Sequence, residues 1–155
     1  MLELKNEFLE RLHSTGGEFF EHYFLTLLSK YLSKHGKTVV ESYVTGGTAD
    51  GGIDGVAKTV DCLGFRETIM IQTKNRNAFA SETEVRSFYG AVCAKMGSRG
   101  IFVTSSDFHA TAAEFLSTID NCVGVNGSKI FEMASECLYG VKRHDGKLII
   151  DTKVI

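Results

Sequence analysis

The run Gly100-Ile101-Phe102-Val103-Thr104-Ser105 restricts this chain more than any other segment. It is short, continuously apolar at its centre and rich in β-branched and aromatic side chains, so it reads as a central strand buried on both faces. A strand of that kind belongs to a layered domain, with cover on either side of a sheet. The rest of the chain supplies the layers. Leu4, Phe8, Leu9 and Leu12 recur at helical spacing, and Ser14-Thr15-Gly16-Gly17 interrupts them. Thr15 with Glu18 three residues on reads as a capping box that opens a longer helix to about residue 34. Its apolar stripe is Phe20, Tyr23, Phe24, Leu27, Leu28, Tyr31 and Leu32, and Gly36 is its stop. The β-branched stretch 38–44, a turn built on Gly46, Gly47, Gly51 and Gly52, and strands near 53–60 and 66–74 give a meander.

Ser81 and Glu84 form a second capping box, starting a helix through Val85, Phe88, Tyr89, Val92 and Met96 that ends at Gly97. After the central strand, the pattern gives a helix over 110–117, a short strand at 122–125 and a helix over 128–138. Asp145-Gly146 turns a terminal hairpin between Val141-Lys142-Arg143 and Leu148-Ile149-Ile150. Helices, a three-strand meander, then alternating helix and strand make an α/β domain with a mixed sheet.

The bulk numbers exclude more than they assign. With 155 residues and 43% hydrophobic content, the chain suits one globular domain over residues 1–155 with a single core. A net charge of -2 shows no global basicity, so any nucleic-acid contact rests on local charge. Cys62, Cys93, Cys122 and Cys137 lie far apart without a C-x-x-C pair, which fits reduced, mostly buried thiols in a cytoplasmic protein. The histidines lack zinc-site spacing, and no apolar run approaches the length of a membrane span. The acidic residues among the first seven do not suit a signal peptide. The glycine-rich stretch 46–52 matches neither nucleotide-loop pattern. Ser105-Ser106 has no paired histidine and acid to make a nucleophile.

Chemistry concentrates in two adjacent segments, Gly51-Gly52-Ile53-Asp54-Gly55 and Ile69-Met70-Ile71-Gln72-Thr73-Lys74. Strand side chains alternate faces, so Gln72 and Lys74 point the same way, and a hairpin brings Asp54 beside them. A carboxylate, an amide oxygen and an ammonium at one spot can hold a hard cation against a phosphate and direct a water at it. Asp50, just before paired glycines, is better placed to close the turn; Asp54 follows the turn, where a charge at the mouth of an apolar strand needs a partner or a metal. Gln72 offers a neutral oxygen, so the cation is loosely held. Glu21 reads from the sequence as a solvated helix-face acid, and Glu18 is accounted for by its cap. Arg86, Lys95 and Arg99 read as solvated charges that are also able to touch phosphate, and Lys142-Arg143-His144 shares that ambiguity.

Together these residues resemble the catalytic domain of the Mrr restriction endonuclease family, a branch of the PD-(D/E)xK nucleases in its Q-x-K variant. The resemblance runs through Phe20-Glu21, Gly47-x-x-Asp50-Gly51-Gly52-Ile53-Asp54, Ile71-Gln72-x-Lys74 and Val85-Arg86-x-Phe88-x-Gly90-Ala91. It continues through Gly100 to Phe108, Ala113-x-Phe115 and Val125-Asn126-Gly127-Ser128-Lys129-Ile130. It implies a three-layer α/β/α restriction-endonuclease-like core and a Mg²⁺-dependent DNA endonuclease of restriction type, with Mn²⁺ as a substitute, acting on modified or foreign DNA. It further implies Asp54 as the metal-binding acid, Gln72 in the acidic position of the motif, Lys74 as the catalytic lysine and Glu21 as the supporting helix-borne acid. On this reading Asp54, Gln72 and the Thr73 backbone carbonyl hold the cation, and Arg76, Arg86, Lys95 and Arg99 meet DNA. The expected partners are DNA and either a second copy in a homodimer or a separate recognition domain or subunit, since no DNA-reading domain is visible in 155 residues. The alternatives are a catalytically silent DNA-binding or scaffold domain of the same fold, and a structure-specific nuclease such as a junction resolvase.

Overall fold

A computed structural model describes residues 1–46, 52–96 and 98–155. The elements follow in the order α1 (Leu2–Ser14), α2 (Gly17–Lys34), β1 (Lys37–Val44), β2 (Gly55–Asp61), β3 (Arg66–Lys74), α3 (Glu82–Cys93), β4 (Ser98–Thr104), α4 (Ala110–Ser117), β5 (Cys122–Val125), α5 (Gly127–Cys137), β6 (Val141–His144) and β7 (Lys147–Ile150). Strands β1 to β5 form one sheet in sequential order. The β1–β2 and β2–β3 pairs are antiparallel, whereas β3–β4 and β4–β5 are parallel, so the sheet is mixed.

The apolar run of β4 is buried as its sequence requires: Phe102, Val103 and Thr104 are fully inaccessible. Its two faces feed two cores. Ile101 and Val103, with Ile69 and Ile71 of β3, pack against Phe8 and Leu12 of α1, Phe20, Phe24 and Leu27 of α2, and Ile130 of α5. Phe102 and Met70 face the other way, into Val85, Phe88 and Val92 of α3 and Ala112 of α4. The result is three layers, α/β/α. Gly100 permits the close approach of α3, because a Cβ there would lie 2.8 Å from both Phe88 and Val92. The β6–β7 hairpin is a separate two-stranded sheet that turns through Asp145 (φ 48°) and Gly146 (φ 77°) and packs on α1 and α5.

Several local expectations change. Thr15 does not open α2: its φ and ψ are helical, so it is the C-cap of α1, and its hydroxyl donates to the Leu12 carbonyl at 2.7 Å. An N-cap needs extended backbone, and Gly16 takes that place without a side-chain cap. The Ser81–Glu84 capping box forms as expected, but α3 stops at Cys93, and Gly97 lies outside the described residues. Helix α5 starts one residue early because the Asn126 side chain caps it, accepting from Lys129 N at 2.9 Å. Of the cysteines, Cys122 is buried, but Cys62 and Cys93 are exposed, contrary to the expectation of mostly buried thiols. Among the described residues no helix is long and apolar enough to cross a membrane.

Candidate active site

The ladder between β2 and β3 runs to the pair Gly55–Ile71, which places Asp54 alongside Gln72 where the strands part. Asp54 N donates to the Ile71 carbonyl at 2.8 Å, and Asp54 Oδ2 accepts from the Thr73 amide at 2.8 Å and its hydroxyl at 3.2 Å. On the other side Thr45 N donates to the Asp54 carbonyl at 2.9 Å, and the Thr45 hydroxyl to the Ile53 carbonyl at 2.5 Å. Asp54 is therefore built into the mouth of the hairpin and does not close a turn on its own backbone. Its other carboxylate oxygen accepts no hydrogen bond among the described residues. Gly47, Asp50 and Gly51, also singled out in the sequence, lie outside the described residues.

Alternation along β3 sends Gln72 and Lys74 to the face of Met70, opposite Ile69 and Ile71. Gln72 is only 9% exposed, yet its Oε1 has no hydrogen-bond partner among the described residues. Gly52, at φ 87°, lies flat against this amide; a Cβ there would fall 2.9 Å from Gln72 Nε2. The Thr73 carbonyl leaves the strand on the same side as the Thr73 amide, the side of Asp54. Lys74 is half-buried, and its ammonium makes no ion pair or hydrogen bond among the described residues. Glu21 comes from α2, and burial together with the charge of Asp54 pushes its carboxyl above the usual range, which places the two acids within electrostatic reach.

The sequence reading missed the scaffold behind Lys74. Asn75 Nδ2 donates to the carbonyls of Leu12 and Gly16, at 3.1 and 3.2 Å, where α1 ends and α2 begins. Asn75 Oδ1 accepts from the hydroxyl of buried Ser105 at 2.8 Å, and Ser105 N donates to the Lys74 carbonyl at 3.0 Å. His13 Nε2 completes the junction on the Ser105 carbonyl at 3.2 Å. No local pattern marks these residues, because their partners lie far along the chain.

The cations divide differently from the expectation. Arg76 follows Lys74 but is held by Glu84 at 2.6 Å, and that carboxyl is drawn below its usual range: burial raises it, and the bonds from Arg76 and Ser81 outweigh burial. Arg86 pairs with Glu82 at 2.8 Å and lies over the Phe115 ring. Arg99 pairs with Glu67 and sits opposite Ile69, at the far end of the β3–β4 ladder from Lys74. Exposed Lys95 precedes β4 at that same end. The fold thus brings Asp54, Gln72, Thr73, Lys74 and Glu21 to one end of the sheet and does not bring Lys95 or Arg99 there.

No cluster of three acidic, histidine or cysteine side chains suited to a metal occurs among the described residues. The donors on offer are one carboxylate and two neutral oxygens, all hard, and the orphaned buried Gln72 Oε1 fits a hard divalent cation.

The family model described as restriction endonuclease, the Mrr catalytic domain, matches residues 12–134. The chain belongs to that family. It is 36% identical over 96 residues to the type IV methyl-directed restriction enzyme EcoKMrr of Escherichia coli K12, a match covering 62% of this chain and 31% of that enzyme. The chain thus spans about a third of that curated relative's length. Two solved restriction endonucleases share the fold. AspBHI, a DNA modification-dependent enzyme, superposes with a TM-score of 0.66 at 15% identity, over 86% of this chain and 35% of its own. MspJI in complex with a 27-mer oligonucleotide gives 0.61 at 18% identity, over 84% and 31%. The α/β/α layering expected of an Mrr-type domain is therefore the observed one.

Proposed function

We propose that this Mrr-type domain is the catalytic part of a cytoplasmic, Mg²⁺-dependent endonuclease that hydrolyses DNA phosphodiesters, with Mn²⁺ as a substitute. The observation that carries the reading is the buried Gln72 oxygen beside Asp54 and the Thr73 carbonyl, with the Lys74 ammonium on the same strand, neither of them partnered among the described residues. Asp54, Gln72 and the Thr73 carbonyl would hold the cation, which when bound supplies charge neutralisation at the phosphate and acidifies water. Lys74, on the same face as Gln72, orients the attacking water and stabilises the charge that develops on the phosphate. Glu21 supports Asp54 from α2 and completes the negative field that attracts the cation. Thr73 fixes the Asp54 carboxylate through two hydrogen bonds, so the cation's main anchor is already oriented before metal arrives.

The substrate class follows from the relatives, EcoKMrr being methyl-directed and AspBHI modification-dependent, and we assign modified DNA to this chain on that basis. Of the four expected DNA-binding cations, Arg76 is the one beside Lys74, and meeting a phosphate there requires it to leave Glu84. Arg86, Lys95 and Arg99 would act only with duplex extending beyond the site. With one active site per chain, double-strand cleavage takes two chains, as in a homodimer, or two successive visits, and a separate recognition domain or subunit would select the target.

The test is incubation with unmodified, methylated and branched DNA, with EDTA, Mg²⁺ or Mn²⁺. Metal-dependent cleavage of methylated DNA, lost in Lys74→Ala, supports the assignment. Binding without cleavage would identify a catalytically silent domain, and cleavage confined to branched DNA would identify a structure-specific nuclease.

A further inference from the structure

We propose that Phe79, braced by the His109 ring tilted 59° to it, is a stacking face for an unpaired or extruded nucleobase of DNA held at the catalytic end of the sheet; the proposal rests on the nuclease reading above. Residues 75–80 leave β3 directly after Lys74, and residues 105–109 leave β4 directly after Thr104, the ladder partner of Lys74. Both loops therefore open beside the proposed cleavage site. They are joined to one another: Ala80 N donates to the Asp107 carbonyl at 2.8 Å, His109 N to the Ala80 carbonyl at 3.0 Å, and the Ser106 hydroxyl to the Asn77 carbonyl at 2.8 Å. Ala80 is fully buried in the α3–α4 core, and Arg76 reaches the Ala78 carbonyl from its ion pair with Glu84.

On this rigid mount stands Phe79, 49% exposed, its ring centroid 5.6 Å from that of exposed His109. Other exposed apolar side chains, Leu63 and Phe65 in the β2–β3 turn and Met96 before β4, lie at the opposite end of the sheet. Exposed Phe19 and Tyr43 share the end that carries Lys74, but Phe19 is stacked on Tyr23 in α2 and Tyr43 lies within β1, whereas Phe79 stands on a loop that leaves the sheet directly after Lys74. Five residues of fully extended chain span at most about 17 Å. Successive base pairs are about 3.4 Å apart, so the ring lies within roughly five steps of a phosphate at Lys74. The neighbouring guanidinium groups, Arg76 and Arg86, are paired with Glu84 and Glu82. What the surface offers is thus an aromatic face, which suits a base and is indifferent to its identity.

The experiment is equilibrium binding, in EDTA so that no strand is cut, of the full chain to short duplex and single-stranded DNA carrying a fluorescent adenine analogue at successive positions. Wild type should quench the analogue at positions near the cleavage point. Phe79→Ala should abolish that quenching and weaken binding roughly five- to 150-fold in Kd. The salt slope should not change, because stacking releases no counterions. Phe79→Trp should restore quenching and affinity, and Phe79→Leu, apolar without a ring, should not. Wild-type affinity and quenching in Phe79→Ala, or full rescue by leucine, would overturn the platform while leaving the nuclease reading intact. Failure of the wild-type chain to bind any DNA would overturn the platform, and absence of metal-dependent cleavage as well would overturn the nuclease reading on which it rests.

Discussion

Replacing Gln72 by methionine removes the amide and keeps an unbranched apolar side chain of similar length. The side chain is 9% exposed and its Oε1 has no partner among the described residues. Burying an unpaired amide oxygen costs about 1–3 kcal/mol, and methionine carries no such cost. Part of the gain is offset by repacking against Gly52, so the variant should be more stable by about 1–2 kcal/mol. For a domain of this size that corresponds to a rise in Tm of roughly 2–8 °C, measured by calorimetry in EDTA. The same variant should lose DNA cleavage. Added Mg²⁺ should raise the Tm of wild type and leave that of Gln72→Met unchanged, because a ligand stabilises only the state that binds it. Gln72→Glu should reverse the pattern: less stable in EDTA, with a carboxylate buried beside Asp54, and active at lower Mg²⁺. A methionine variant less stable than wild type in EDTA, or one that cuts at the wild-type rate, would refute the view that this oxygen is kept for a cation.

Asp54→Ala should abolish cleavage and also cost about 1–2 kcal/mol in urea denaturation, since it strips the Thr73 amide of its acceptor; full stability would show that hydrogen bond to be worth nothing. Asn75→Ala removes bonds to Leu12, Gly16 and Ser105, and at about 1 kcal/mol each it should destabilise by roughly 2–3 kcal/mol and lower kcat with little change in DNA affinity. A stable variant with normal kcat would dissociate this scaffold from Lys74. Glu84 has a depressed carboxyl pKa, so its contribution is present above the unfolded value and fades as pH falls through the lower folded one. Glu84→Gln should accordingly cost up to about 1 kcal/mol at neutral pH, after allowance for partial exposure, and nearly nothing at pH low enough to protonate wild type; a pH-independent difference would contradict this.

The element order was legible because each element carries its own period. The limits of β3, α4 and β5 match the sequence pattern, and so does the Ser81–Glu84 cap, whose partners are three residues apart. Thr15 was misread because the same residue types serve either end of a helix, and only the backbone conformation chooses between them. In the site, the identities of Asp54, Gln72 and Lys74 stood out as polar groups bounding apolar strands. Three things depended on tertiary structure. The register Gly55–Ile71 sets Asp54 against Thr73, packing hides the Gln72 oxygen without a partner among the described residues, and the α1–α2 junction hangs from Asn75. Charge followed the same division: the sequence supplies Arg76, Arg86, Lys95 and Arg99, and the fold pairs three of them with glutamates. Periodicity and capping act over a few residues and are written locally, whereas an ion pair, an orphaned oxygen or a shared hydroxyl exists only once distant segments are packed together.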